Sequence, residues 1–279
     1  MTPPPNAVLR GPRAGFPAGQ TLLWREDDPA FPRGAGLDFA ILRLPAGAEL
    51  RECSPKESAW ILLGGEADVG FGRRRVRVRR QDVFVDNPTT LHVGPRTRVT
   101  IRSLKAGTEF AVARTANTRK FSPRLFGPDD MKPEYRGAGL VQNACLRNVR
   151  LIFDRKGRPR SNLVIGEVVN YPGRWSSYPP HHHDQPEIYH YRFTRGGGYG
   201  HAELGEDVVK VRARDTILIP PGLDHAQVSA PGYGMYYLWV IRHLPGNPYT
   251  GFTFAEEHAW TLDPARQGWR PSDGPGSAP

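Results

Sequence analysis

At 279 residues the chain has room for one large or two small domains, each with a core of its own. A composition of 38% apolar, 10% aromatic and 24% charged residues suits a folded soluble protein, and no apolar run approaches the roughly 18 residues of a membrane-crossing helix. The formal charge of +10 rests on 38 Lys and Arg, 32 of them Arg scattered along the whole chain, which suggests a general field that attracts small anions and argues against a dedicated nucleic-acid surface. Cys53 and Cys145 are the only cysteines, too few for a disulfide framework, so a reducing cytoplasm is expected.

In chain order, residues 1–20 are rich in Pro and Gly, lack the apolar segment of a secretory leader, and are expected to form a flexible arm. Short runs rich in β-branched and aromatic residues follow at 39–44, 59–63, 83–85, 99–101 and 110–112, each bounded by turn residues. They predict a first β-barrel over 21–115. Within it, segment 73–80 alternates arginines with Val76 and Val78, the pattern of a strand with one wet and one buried face, and it lacks the interleaved aromatics that base stacking requires. Residues 116–160 are mixed and polar, with Pro123, Pro128 and Pro133, and are expected to be a connector. A second set of runs at 163–165, 188–191, 208–211, 216–219 and 235–241 predicts a second barrel over 161–266, and 267–279 is expected to be a flexible tail.

The chemistry is concentrated in the second set. His181-His182-His183-Asp184-Gln185-Pro186-Glu187 is followed by Pro220-x-Gly222-x-x-His225. Residues two apart on a strand share a face, so His181 and His183 can address one ion while His182 points away. Glu187 regains that face if Gln185-Pro186 turns, and His225 arrives on a separate segment after the Pro-x-Gly turn. Three imidazoles and a carboxylate suit zinc, iron, manganese, nickel or copper, and an octahedral ion would keep two positions open. A purification tag would sit at a terminus and lack the matching downstream histidine.

The halves also align with each other. Asp82 to His92 spans the same interval as Asp215 to His225, and Glu57-x-x-Trp60 parallels Glu187-x-x-His190. The same offsets place Arg51 and Cys53 opposite His181 and His183. The expectation is an internal duplication in which the first copy keeps Glu57 and His92 but has lost its histidine pair, leaving His92 a structural role.

An HxH-x3-E segment paired with P-x-G-x-x-H resembles the cupin superfamily. Gly166-Glu-Val, Gly173-Arg-Trp-Ser-Ser-Tyr-Pro-Pro-His181-x-His183-Asp184, Glu187-Ile-Tyr-x-Tyr-Arg192 and Tyr236-Tyr-Leu238 narrow the resemblance to the 5-deoxy-glucuronate isomerase family of inositol catabolism, a relative of 5-keto-4-deoxyuronate isomerase. Trp239 stands where that family has Asn, and the link from His183 to Glu187 is shorter than in typical members. The resemblance implies an all-β bicupin, two tandem jelly-roll barrels related by duplication. It implies metal roles for His181, His183, Glu187 and His225, with zinc favoured, and a homo-oligomer. It also implies conversion of 5-deoxy-D-glucuronate to 5-dehydro-2-deoxy-D-gluconate.

Such an aldose–ketose isomerisation moves a proton between adjacent carbons, which a cation bound to the flanking oxygens would assist. Even steps from Glu187 put Tyr189 and Tyr191 on the cavity side, and with His201 on the next strand these are the proton-shuttle candidates. Arg174, Arg192 and Arg242 flank the expected mouth and are candidates for the substrate carboxylate. A metal-dependent dioxygenase and a non-catalytic sugar-binding double barrel are the competing readings; oxygen uptake would favour the first.

Overall fold

The computed structural model describes residues 7–27 and 35–270. Alternating apolar residues between Gly- and Pro-containing turns give β1 (Val8–Leu9), β2 (Gly19–Trp24), β3 (Asp38–Leu44), β4 (Glu49–Cys53), β5 (Glu57–Phe71), β6 (Arg74–Arg80), β7 (Thr90–Val93), β8 (Arg98–Ser103) and β9 (Thr108–Thr115). Then come β10 (Arg124–Phe126), β11 (Glu134–Arg136), β12 (Arg147–Phe153), β13 (Leu163–Asn170), β14 (Trp175–His182), β15 (Glu187–Phe193) and β16 (Tyr199–Leu204). The last are β17 (Asp207–Arg212), β18 (Thr216–Ile219), β19 (His225–Ser229), β20 (Met235–Arg242) and β21 (Thr253–Phe254).

The strand order repeats. In the first half, β7-β5-β9-β3 form one sheet, while β4, β8, the far end of β5 and β6 form the other. In the second half, β18-β15-β20-β13 and β14-β19-β16-β17 reproduce both orders, so the expected duplication is present in the topology. Strand β5 serves both first-half sheets by bending where its register slips between Leu62 and Gly64. Gly65 takes φ 103° there, and a Cβ would stand 2.6 Å from the Thr108 Cα, so only glycine fits the corner. The fold is the all-β, two-barrel cupin arrangement.

Three apolar clusters hold it together. Trp60, Leu62, Val69, Val99 and Val112 fill the first barrel. Tyr189, Tyr191, Phe193, Leu204 and Tyr237 fill the second. Phe39, Ile41, Ile61, Ile188, Leu238 and Val240 fill the seam between them. Within that seam Glu167 on β13 is fully buried and receives Arg80 Nη2 at 2.6 Å, Arg150 Nη1 at 2.9 Å and the Tyr236 hydroxyl at 2.9 Å. A buried carboxylate so satisfied fixes how the barrels meet.

Several expectations are corrected. The arm is anchored from Ala7 on: β1 pairs with β18 of the second barrel, Phe16 is buried, and Arg10 and Arg13 pair with the buried Asp215. The run 83–85 is a turn, because Asp82 accepts the Phe84 amide and Asp86 the amides of Gln81 and Asp82. The expected connector contributes strands, β10 to the first barrel and β11 and β12 to the second. Arginines 74, 75 and 77 of β6 are exposed as expected, but Arg80 at its end enters the seam. At the start of the expected tail, Gln267 accepts a hydrogen bond from Gln142. Residues 1–6 of the arm and 271–279 of the tail lie outside the described residues.

Candidate metal centre

A bulge in β14 sets the site. Its register with β19 holds at Trp175–Val228 and Ser176–Gln227, slips, and resumes with His181 opposite His225. Ser177 takes φ 54° at the slip, and its carbonyl accepts the His181 Nδ1–H at 3.1 Å. The bend at Asp184–Gln185 returns the chain so that Glu187 opens β15 on the inner face.

His183, Glu187 and His225 each offer a ligand atom within 4.8 Å of the others, and all three are buried. His183 Nε2 stands 3.2 Å from Glu187 Oε2, and His225 Nε2 stands 3.4 Å from the same oxygen. The Leu223 carbonyl takes the His225 Nδ1–H at 3.1 Å. That fixes the tautomer and turns the Nε2 lone pair toward a carboxylate, with no hydrogen-bond partner for Nε2. A lone pair facing a buried carboxylate is repulsive unless a cation lies between them, so the donor set fits a divalent ion. The His181 ring lies 4.4 Å from that of His225 by centroids, outside the three-residue cluster but beside it. Burial, with the neighbouring His225, pushes His181 down to about 3. Burial alone would push Glu187 up, but the His183 hydrogen bond and the adjoining imidazoles outweigh it and hold the carboxyl at about 2. At neutral pH Glu187 is therefore an anionic carboxylate and His181 an uncharged ring.

His181, His183 and Glu187 line a cavity of about 80 Å³ together with Tyr189, Tyr237, Trp239 and Tyr249. Arg136, Arg147, Phe252 and Phe254 form a shared wall with an adjoining cavity of about 240 Å³. At roughly 30 Å³ per water, the inner space of about 80 Å³ holds two or three water-sized groups in all, so a six-carbon ligand would extend outward.

Of the expected shuttle residues, Tyr189 lines the cavity, stacks on Tyr237 at 4.5 Å and lies 3.3 Å from Ser177 Oγ. Tyr191 is buried deeper and donates to Gln227 Oε1 at 2.6 Å, away from the cavity lining. His201 is exposed beside Tyr199 on the opposite sheet. Burial raises the phenol pKa of Tyr189, Tyr191 and Tyr249.

The expected arginines are placed elsewhere. Arg192 sits in the seam against Glu109 and His190, on the outward face of β15. Arg242 packs on Gly36 and Thr115 at the end of β20, and Arg174 reaches the Gln142 carbonyl. In their place the cavity presents Arg147, whose sole hydrogen bond among the described residues is to the Cys145 carbonyl at 3.0 Å and which has no carboxylate partner there. Its strand, β12, belongs to the stretch expected as a connector, which hid it. His182 turns outward to Asp224, 2.8 Å away.

The first barrel corrects the internal alignment. Pairing matches Ser58–Val93 with Glu187–Ile219 and Trp60–Leu91 with Tyr189–Ile217, so the counterpart of Glu187 is Ser58, one residue beyond Glu57. His92 lies on β7, the counterpart of β18, whereas His225 opens β19. Arg51 and Cys53 are exposed. Where the second barrel holds its cluster, the first holds Arg114 bound to Glu52 at 2.7 Å and stacked 4.8 Å over Trp60. Glu57 and His92 instead face the seam, 2.8 Å apart, with Ser161 and Asn117 donating to Glu57.

A family model described as the KduI/IolB family matches residues 13–261. The 5-deoxy-glucuronate isomerase of Geobacillus kaustophilus (strain HTA426) is 29% identical over 245 residues, covering 81% of this chain and 85% of the relative. That of Bacillus subtilis (strain 168) is 25% identical over 248 residues, covering 81% and 88%. Among solved structures, an IolB-like protein from Salmonella typhimurium LT2 superposes with a TM-score of 0.80 at 22% identity, over 92% of this chain and all of the other. Lactobacillus farciminis oxalate decarboxylase in its formate complex gives 0.60 at 14% identity, over 87% and 86%. The match over nearly the whole chain, through both barrels and the buried cluster, places this chain in the KduI/IolB family.

Proposed function

We propose that the chain is a metal-dependent isomerase of sugar acids, converting 5-deoxy-D-glucuronate to 5-dehydro-2-deoxy-D-gluconate in inositol catabolism in the cytoplasm. Family membership makes it an isomerase. The observation that carries the finer reading is the buried His183–Glu187–His225 cluster opening toward the unpaired Arg147. His183, Glu187 and His225 would hold the ion, with His181 as the fourth ligand through its free Nε2. A divalent cation there would supply Lewis acidity, lowering the cost of the negative charge that develops when the C–H of the hydroxyl-bearing carbon next to the carbonyl is broken.

The remaining groups bind and orient. The Arg147 guanidinium suits the substrate carboxylate, since a half-buried Arg without an acidic partner is ready to form a forked ion pair. The Tyr189 and Tyr249 phenols, kept protonated by burial, donate to substrate oxygens as charge builds on them. Phe252 and Phe254 exclude water from the shared wall. Zinc is the favoured ion, and a homo-oligomer the expected assembly. The test is proton NMR of 5-deoxy-D-glucuronate incubated with the protein in deuterium oxide. Deuterium entering the carbon next to the carbonyl, with ketose formed, supports the reading; unchanged substrate at saturating metal refutes it.

A further inference from the structure

A larger cavity lies outside the one that the cluster lines. A cleft of about 700 Å³ lies where the segments after β9, before β13 and after β20 meet, and its lining includes Arg119, Arg155, Arg242 and His243 but, among the described residues, no Asp or Glu. Arg155 has no ion pair or hydrogen bond among the described residues, and Arg242 uses only Nε, toward Thr115 Oγ1 at 3.4 Å. Arg119 is held in place by the Ser161 carbonyl at 3.1 Å.

His243 adds a neutral donor. The Tyr249 amide donates to His243 Nδ1 at 2.9 Å, so the ring proton sits on Nε2, which is buried without a partner. Burial and the adjacent Arg155, Arg119 and Arg242 hold the ring down to about 4, so it stays uncharged at neutral pH. Glu57, the acid whose charge reaches His243, has its oxygens taken by His92, Ser161, Asn117 and the Asn162 amide. Three guanidiniums around one solvent-filled space repel each other, and a bound oxyanion removes that cost.

We propose that this cleft is a second binding site, for a small multivalent oxyanion of the phosphate-monoester or polycarboxylate class, separate from the metal cavity and independent of what that cavity catalyses. The Tyr249 whose amide holds His243 also packs its ring 5.1 Å from His183, so seven residues of chain join the two cavities.

The experiment is isothermal titration calorimetry of the full chain with inorganic phosphate and with citrate, at constant ionic strength set by chloride. Wild type is expected to bind at least one of the two, and which one identifies the class. The Arg155→Gln/Arg242→Gln variant should bind at least tenfold more weakly, and Arg147→Gln should bind as wild type does. If the double variant fails to fold by circular dichroism, Arg155→Gln alone, an exposed position, should still weaken binding at least threefold. The proposal is overturned if neither anion binds wild type. It is equally overturned if the cleft variants bind normally, or if Arg147→Gln abolishes binding, which would place the anion in the metal cavity.

Discussion

Replacing Glu167 by Gln tests what joins the barrels. The carboxylate and Arg80 are both fully buried, and Arg150 is 3% exposed. Glutamine keeps the volume and a partner for the Tyr236 hydroxyl, but removes the single negative charge facing two guanidiniums. Those guanidiniums retain only carbonyl acceptors, at Leu62, Asp86, Val83 and Phe84. Breaking a buried ion pair from one side costs about 3–5 kcal/mol. At about 2–3 °C per kcal/mol for a chain of this size, the melting temperature should fall by roughly 6–15 °C. Glu167 and Val168 lie on opposite faces of β13, and Val168 lines the metal cavity. Metal content per folded chain should therefore be unchanged. Urea unfolding followed by circular dichroism, with metal analysis of the folded variant, reads both quantities. A loss below 1 kcal/mol would refute the claim that this network fixes the seam.

Arg147→Gln should lower kcat/KM for the uronate by about a hundredfold, the equivalent of 2–3 kcal/mol for a charged hydrogen-bonded pair, with metal content intact; activity within twofold of wild type would remove Arg147 from the substrate site. Gly166→Ala should cost about 1–3 kcal/mol by urea titration, because its Cβ would stand 2.3 Å from Trp239 Cζ2 and force the indole off the cavity wall; tryptophan emission should shift in the native state. Burial depresses His92, His190 and His243, the last to about 4, so each is neutral when folded and protonates more readily when unfolded. Their contribution is complete above the unfolded value of about 6.5 and is lost as pH falls toward the folded values. Urea midpoints should decline from pH 6.5 to 4, and a flat profile there would contradict the burial of these rings as neutral groups.

The sequence showed the site better than its surroundings. That His183, Glu187 and His225 come together, with His181 beside them, was legible because strand alternation and a Pro-x-Gly turn are local rules; whether they hold an ion is the proposal. The duplication was legible in outline, yet its register was wrong by one residue. Glu57 matched Glu187 by type, but the pairing that decides which face a residue takes is made with distant strands. Arg147 was missed because β12 is recognisable only through its ladder with β13. The anchoring of β1 on β18 was missed for the same reason, since its partner lies more than two hundred residues away. The arginines chosen near the histidines in sequence were separated from them by the period-two alternation of β15 and by the end of β20.

Metal dependence at the buried cluster is the central claim, and reconstitution tests it most directly. Protein stripped with chelator and titrated with zinc or manganese should regain isomerase activity in proportion to metal bound, up to one ion per chain. His225→Ala should neither retain the ion nor recover. Wild-type turnover in fully stripped protein, or an undiminished ion in His225→Ala, would contradict the account.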